Sequence, residues 1–194
     1  MRAQIEEGSR APASARDRLL AAADELFFSE GIHNTGVTLL IERANIAKAS
    51  FYTAFKSKND LVDAYLERQH LIIVERLYNI ERSDDSLPVK ISKIFDLLSN
   101  SVVQTSYRGC LFFVAAIEQP QSDLPAKRWV RAHKLEVLHV FHRICETAQH
   151  PHAEEVAEQL AIIYDGALVT AAVRPESGAI KRGCAMALAL LGSD

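Results

Sequence analysis

Apolar positions along the chain recur at three- and four-residue intervals and never alternate for long, so the pattern is helical throughout. Leu19, Leu20, Ala23, Leu26 and Phe27 form the first stripe. Ser14 and Asp17 stand at capping-box spacing before it and Gly31 stops it, which predicts a helix over about 15–30. A short helix follows over about 37–44, with Val37, Leu40 and Ile41 facing inward. Asn45 then stands where the chain must fold back, a place that suits a residue tolerant of left-handed backbone. The next helix, over about 48–55, sets Phe51 and Phe55 four apart on one inward face. That leaves Lys48, Ala49, Ser50, Tyr52 and Thr53 pointing outward.

The rest of the chain continues in the same period. A long helix is predicted over 57–81, capped by Ser57 or Asn59, with a stripe of Leu61, Ala64, Tyr65, Leu71, Ile72 and Leu77. Helices over about 89–105, 110–118, 126–148, 153–173 and 176–191 follow. The third-last is amphipathic, the almost wholly apolar 110–118 segment reads as buried, and Pro151 and Pro175 mark breaks. The predicted fold is all-α with about nine helices. Its parts are a polar, flexible arm over 1–13, a three-helix helix-turn-helix domain over 14–60, and a helical domain over 61–194 that binds a ligand and dimerises.

The net charge of −3 does not advertise a nucleic-acid partner, so such a reading rests on local charge. From Arg43 to Lys58 the basic residues are Arg43, Lys48, Lys56 and Lys58, with no acid among them. A short helix with small and basic outward residues fits against base edges in a major groove. The three cysteines, Cys110, Cys145 and Cys184, lie far apart without a paired spacing, which suits reduced thiols in a cytoplasmic protein. No signal peptide and no run of roughly 18 apolar residues suited to a membrane span is expected. His133, His139, His142, His150 and His152 invite a metal reading, but no cysteine or carboxylate completes a set by spacing. Neither a metal nor another cofactor is expected, and no nucleophile–base pair or phosphate loop points to an enzyme.

Arg18 to Gly31, the spacing of Thr35, Val37, Leu40, Ala44 and Ile46, and the run Lys48-Ala-Ser-Phe-Tyr52 through Phe55, Lys56 and Leu61 together resemble the tetracycline-repressor (TetR) family of bacterial regulators. The resemblance is strong over about 16–66. Asn45 stands where the family favours Gly, and Ala47 where it favours a Ser or Thr cap, so the bases read are the part it specifies least. The resemblance implies a homodimeric repressor, released from a palindromic double-stranded DNA operator by a small-molecule effector. It places Lys56 and Lys58 against the phosphate backbone, where contacts position the protein but carry little sequence information. Tyr52 suits a phosphate or a thymine methyl. Lys48, Ala49 and Ser50 are the candidates for base readout, supported by Arg43 and Thr38.

A ligand pocket is implied in the second half, with Phe95, Phe112, Phe113, Trp129, Phe141 and Tyr164 as wall candidates and Tyr107, Glu118, His133 and Asp165 as polar contacts. Asp165 interrupts an apolar run and needs a partner in a ligand, a neighbouring helix or a dimer mate. For the dimer, Leu160, Ala167 and Ala171 on one helix and Ile180, Gly183, Cys184, Ala187, Leu188 and Leu191 on the next form narrow stripes of small and aliphatic residues. The competing use of the same stripes is packing within one subunit. The competing function is a ligand-independent DNA-binding or protein-interaction module.

Overall fold

The computed structural model describes residues 14–102, 109–121 and 124–192. Its α-helices are α1 (Ala15–Ser29), α2 (Val37–Ala44), α3 (Lys48–Ala54), α4 (Lys58–Glu81), α5 (Leu87–Val102), α6 (Leu111–Glu118), α7 (Pro125–Thr147), α8 (Ala153–Val173) and α9 (Ala179–Leu190). A short 3₁₀ turn, Pro175–Ser177, separates the last two. No strand occurs among the described residues, and the all-α class holds. The arm over 1–13 and the end of the helix expected to reach 105 lie outside them.

Local chemistry explains most of the boundaries. Ser14 Oγ accepts from the Asp17 amide at 3.1 Å while the Asp17 carboxylate accepts from the Ser14 amide at 3.3 Å, closing the capping box of α1. Asn45 adopts left-handed backbone at φ 49° and ends α2. Ser57 caps α4 through the Asp60 amide at 3.1 Å. Pro88 and Pro125 sit inside the first turns of α5 and α7, where a missing N–H costs nothing, so both helices start slightly earlier than expected.

Two apolar cores stack along the molecule. The first joins α1, α2 and α3 to Leu61, Val62, Tyr65 and Leu66 of α4, and also takes in Phe112, Ala115 and Ala116 of α6 and Ala126 of α7. The second is built from α5, α7, α8 and α9 around Leu77 of the α4 end. Packing thus ignores the division drawn at residue 60. α4 runs through both cores, and α6 belongs with the short N-terminal helices.

Polar ties fix α4 to its neighbours at both ends. Arg68 pairs with Asp24 of α1, and Gln69 Nε2 donates to the same carboxylate at 2.7 Å. Trp129 Nε1 of α7 donates to Asp63 at 2.8 Å. At the far end Arg143 of α7 grips Glu81 with two bonds of 2.8 and 2.9 Å, a bidentate pairing that fixes orientation as well as distance.

Four expectations are corrected here. Leu71 and Ile72 of α4 are exposed, and Val62, Leu66 and Val74 hold the inward stripe instead, because the helix turns its face as it passes from one core to the other. In the apolar α6, only Phe112, Ala115 and Ala116 are buried, while Phe113 and Ile117 face outward. The small-residue stripes of α8 and α9 pack within the subunit: Leu160, Ala167, Ala171, Ile180, Gly183 and Ala187 are all buried in the monomer. Gly183 allows this, since a Cβ there would stand 2.9 Å from Ala167 Cβ and 3.1 Å from Phe95 Cε1. Finally, α8 is long and apolar enough for a membrane span by length and composition. Part of that apolarity is spent inside the protein, because α7 and α9 both pack against α8 and its buried face carries Leu160, Tyr164 and Leu168.

Candidate DNA-binding surface and interhelical cleft

Helix α3 is anchored by its aromatic side and open on the other. Phe51 is fully buried and Phe55 nearly so, with ring centroids 6.4 Å apart, while Tyr52 lies 51% exposed with its edge against Phe51. Lys48, Ala49, Thr53 and Lys56 are exposed beside it, Ser50 is half-buried, and Thr38 of α2 is exposed on the adjoining surface. The turn that sets α3 against α2 is held from α1. Arg18 Nε donates to the Ala44 carbonyl at 2.8 Å, and the same guanidinium reaches the Asn45 carbonyl. It thereby satisfies carbonyls that the end of α2 leaves unpaired. Ala47 at the start of α3 offers no side-chain cap.

Two of the basic candidates are engaged inside the protein. Arg43 pairs with Glu25 of α1 at 2.8 Å, although both side chains stay more than half exposed. Lys58 is turned inward: its ammonium donates to the Ile32 carbonyl at 2.6 Å, and burial lowers its pKa while the nearby Glu118 opposes that shift. The expected phosphate role of Lys58 therefore meets a competing tie, because a lysine bonded to a buried carbonyl is drawn away from the surface. Glu118, at the end of α6, completes this knot by accepting from the Ile32 amide at 2.6 Å and the His33 amide at 3.2 Å. One carboxylate of the second half thus grips the loop between α1 and α2.

The expected pocket residues fall into separate places. Phe95, Phe141 and Tyr164 pack edge to face in the second core, at centroid distances of 6.2 and 5.9 Å. Phe112, Trp129 and His133 gather around His70 of α4: His133 stacks on Phe112 at 4.0 Å and its Nδ1 lies 3.3 Å from that of His70. Burial, with Lys134 and His70 adding to it, pushes the His133 imidazole down to about 3, and burial lowers His70 as well. Both rings are neutral at pH 7, one Nδ1 donating and the other accepting. Phe113 is exposed, and Asp165, expected to be buried, is half-exposed and paired with Lys134 of α7. Tyr107 lies outside the described residues.

Among these candidates Glu118 alone borders a cavity of about 530 Å³ between α1, α4 and α6. Phe27, Phe28, Tyr65, Ile72, Ile73 and Val114 form its walls, and Gln69 and Arg76 its polar side. Sequence reasoning placed Phe27, Tyr65 and Ile72 in the core and did not foresee the cleft. The signal was the excess of apolar residues on α4 beyond what one stripe can bury.

The cysteines behave as structural thiols. Cys145 is fully buried and burial pushes it up to about 11, while Cys110 and Cys184 are half-buried and unbonded to each other. On α7, His139 and His142 lie beside Glu136 and Glu146, at 3.8 and 3.6 Å.

A helix-turn-helix held on a long helix that continues into an all-α second core defines a class of two-part helical proteins. The family model for bacterial regulatory proteins of the tetR family matches residues 19–65. The HTH-type transcriptional repressor NemR of Escherichia coli strain K12 is 33% identical over 70 residues, which cover 36% of this chain and only 35% of that repressor. Over nearly the whole length, the TetR-family transcriptional regulator SCO4454 of Streptomyces coelicolor superposes with a TM-score of 0.83 at 25% identity, covering 92% of this chain and 96% of that one. The reduced form of E. coli NemR gives 0.79 at 22% identity, covering 89% and 94%. Residues 19–65 thus match the tetR family of bacterial regulatory proteins, and the described chain shares its fold with TetR-family transcriptional regulators.

Proposed function

We propose that the protein is a homodimeric transcriptional repressor of the cytoplasm that binds a palindromic DNA operator through α3 and leaves it when a small-molecule effector binds. The observation that carries the reading is the division of α3, whose aromatic face is fully buried while Lys48, Ala49, Tyr52 and Lys56 stay exposed. Lys56 and Tyr52 serve the phosphates; Lys48 and Ser50, with Ala49 in close approach, read base edges, and Thr38 and Arg43 support from α2. The match to a curated repressor is consistent with repression rather than activation.

Dimerisation uses the outer faces of α8 and α9, since their inner stripes are consumed within the subunit. Ile162 and Val173 are 70% and 75% exposed, Val169 and Met186 are exposed too, and Gly166 leaves open space for close approach. Such a run of unpaired apolar side chains on adjacent helices suits a four-helix interface with a second copy.

A mobility-shift titration on the DNA upstream of its own gene tests the reading. Wild type shifts the fragment, and Lys56→Ala weakens binding to every sequence and lowers the salt slope by about one per protomer. Val173→Asp converts a dimer to a monomer in sedimentation and abolishes the shift. Absence of any shift at low salt overturns the regulator reading, whereas a shift that no small molecule relieves favours a ligand-independent binder.

A further inference from the structure

We infer that the cleft between α1, α4 and α6 is a binding site for a small amphipathic organic anion, held by Arg76 and Tyr65. Its role as the effector site rests on the regulator reading; its existence as a site does not. The volume of about 530 Å³ suits an organic molecule of modest size. The walls supply two kinds of surface. Phe27, Phe28, Ile72 and Val114 offer apolar area, and Ile72 is 41% exposed where it borders this space.

The charge preference follows from which groups are already satisfied. A tally of bordering residues looks acidic, with Asp24, Glu25 and Glu118 against Arg76. Yet Asp24 is bound by Arg68 and Gln69, Glu25 by Arg43, and Glu118 by the Ile32 and His33 amides. Arg76 has no ion pair or hydrogen bond to any described residue. Tyr65, only 5% exposed, makes no hydroxyl hydrogen bond to a described residue, and burial raises its pKa so that the hydroxyl keeps its proton. The unspent charged group of the cleft is therefore the Arg76 guanidinium, with the Tyr65 hydroxyl and the Gln69 amide oxygen as neutral polar groups above an apolar floor. That set matches a carboxylate or sulfonate on an apolar body.

The position gives such a ligand leverage. It touches α1 and the loop at Ile32 on one side and α6 on the other, next to the Glu118 grip on that loop. A ligand that wedges these apart prefers a different placement of α1–α3, which is the differential affinity that release from DNA requires.

The test uses 1-anilinonaphthalene-8-sulfonate as the anionic probe and N-phenyl-1-naphthylamine, the same skeleton without the sulfonate, as its neutral counterpart. In fluorescence titrations of the full chain, wild type binds the anion saturably at one site per chain. Arg76→Ala weakens that binding by about tenfold or more, the loss of one charge-assisted contact, and leaves the neutral probe unchanged. Arg82→Ala, on an arginine that does not border the cleft, leaves both unchanged, and Val114→Trp, which fills the cleft, removes both. Equal affinity of wild type and Arg76→Ala for the anion overturns the site, as does undiminished binding of both probes to a folded Val114→Trp protein. Mobility shifts with the anion present then separate the two proposals. Release of DNA from wild type but not from Arg76→Ala makes the cleft the effector site. Probe binding in a protein that never shifts DNA sinks the regulator reading and leaves the site standing. DNA binding without anion binding does the reverse.

Discussion

At the scale of single residues the most consequential group is His133, a buried imidazole with its proton on one side only. Its folded pKa of about 3 lies below the unfolded value, so between the two the unfolded chain binds more protons and stability falls as pH falls. His70, lowered in the same direction, adds to the effect; Glu136, which raises His70, moderates it. Stability is thus flat above about pH 6.5 and lost below it, by about 2 kcal/mol at pH 5 for His133 alone. Urea midpoints at pH 7.5 and pH 5 should differ accordingly in the wild type and much less in His133→Gln. Equal pH sensitivity in the two proteins would remove the histidine from the account. Lys58 shows how a residue's type misleads about its use. The family resemblance marks it for a phosphate, but the Ile32 carbonyl captures it, a contact formed across 26 residues of chain and invisible to local pattern.

At the scale of helices, two positions test what propensity and packing each contribute. Ala47 has the extended backbone of an N-cap, φ −73° and ψ 150°, but no side-chain oxygen. Ala47→Ser should raise stability by about 1 kcal/mol, and an unchanged denaturation midpoint would mean that Arg18 and the α2 turn already hold α3 as firmly as a cap can. Gly183 presents the opposite case. Alanine there favours the helix by up to about 1 kcal/mol, yet its methyl meets Ala167 at 2.9 Å and Phe95 at 3.1 Å. Overpacking costs about 1–3 kcal/mol, so Gly183→Ala should lower the midpoint; a rise would show that α9 shifts freely. The same position explains what sequence could tell. The small residues of α8 and α9 were legible as a close helix contact, since only small side chains permit one. Which partner they meet was not, because a stripe that pairs two helices of one chain has the same period as one that pairs two chains. The Phe51–Phe55 anchor, the Asn45 turn and the Ser14 and Ser57 caps were legible because each acts within a few residues. The cleft and the His70–His133 pair arise between helices far apart in the chain, where periodicity carries no information.

For the molecule as a whole, the question is how the second core acts on the DNA-reading helices. Among the ties that cross from α4 and α6 toward α1–α3 are Arg68 and Gln69 on Asp24 and Glu118 on the Ile32 and His33 amides, whereas Trp129 on Asp63 joins α7 to α4 itself. Glu118 is singular among them because it grips a loop rather than a helix side, and because Ile32 is buried, so its amide has no water to fall back on. Removing the carboxylate leaves that N–H orphaned at a cost of about 1–3 kcal/mol. It also leaves the Lys58 ammonium without a neighbouring negative charge. The loss falls on one end of the molecule, since the core of α5, α7, α8 and α9 does not include Glu118 or the loop. Glu118→Ala should therefore speed amide hydrogen exchange across α1, α2 and α3 by about tenfold or more while the amides of α8 and α9 keep their wild-type protection. Glu118→Gln, which retains an acceptor for the two amides but not the charge, should fall between. Uniform loss of protection over the whole chain would instead mean that the two cores open as one unit, and that Glu118 adds stability without linking a pocket to a groove.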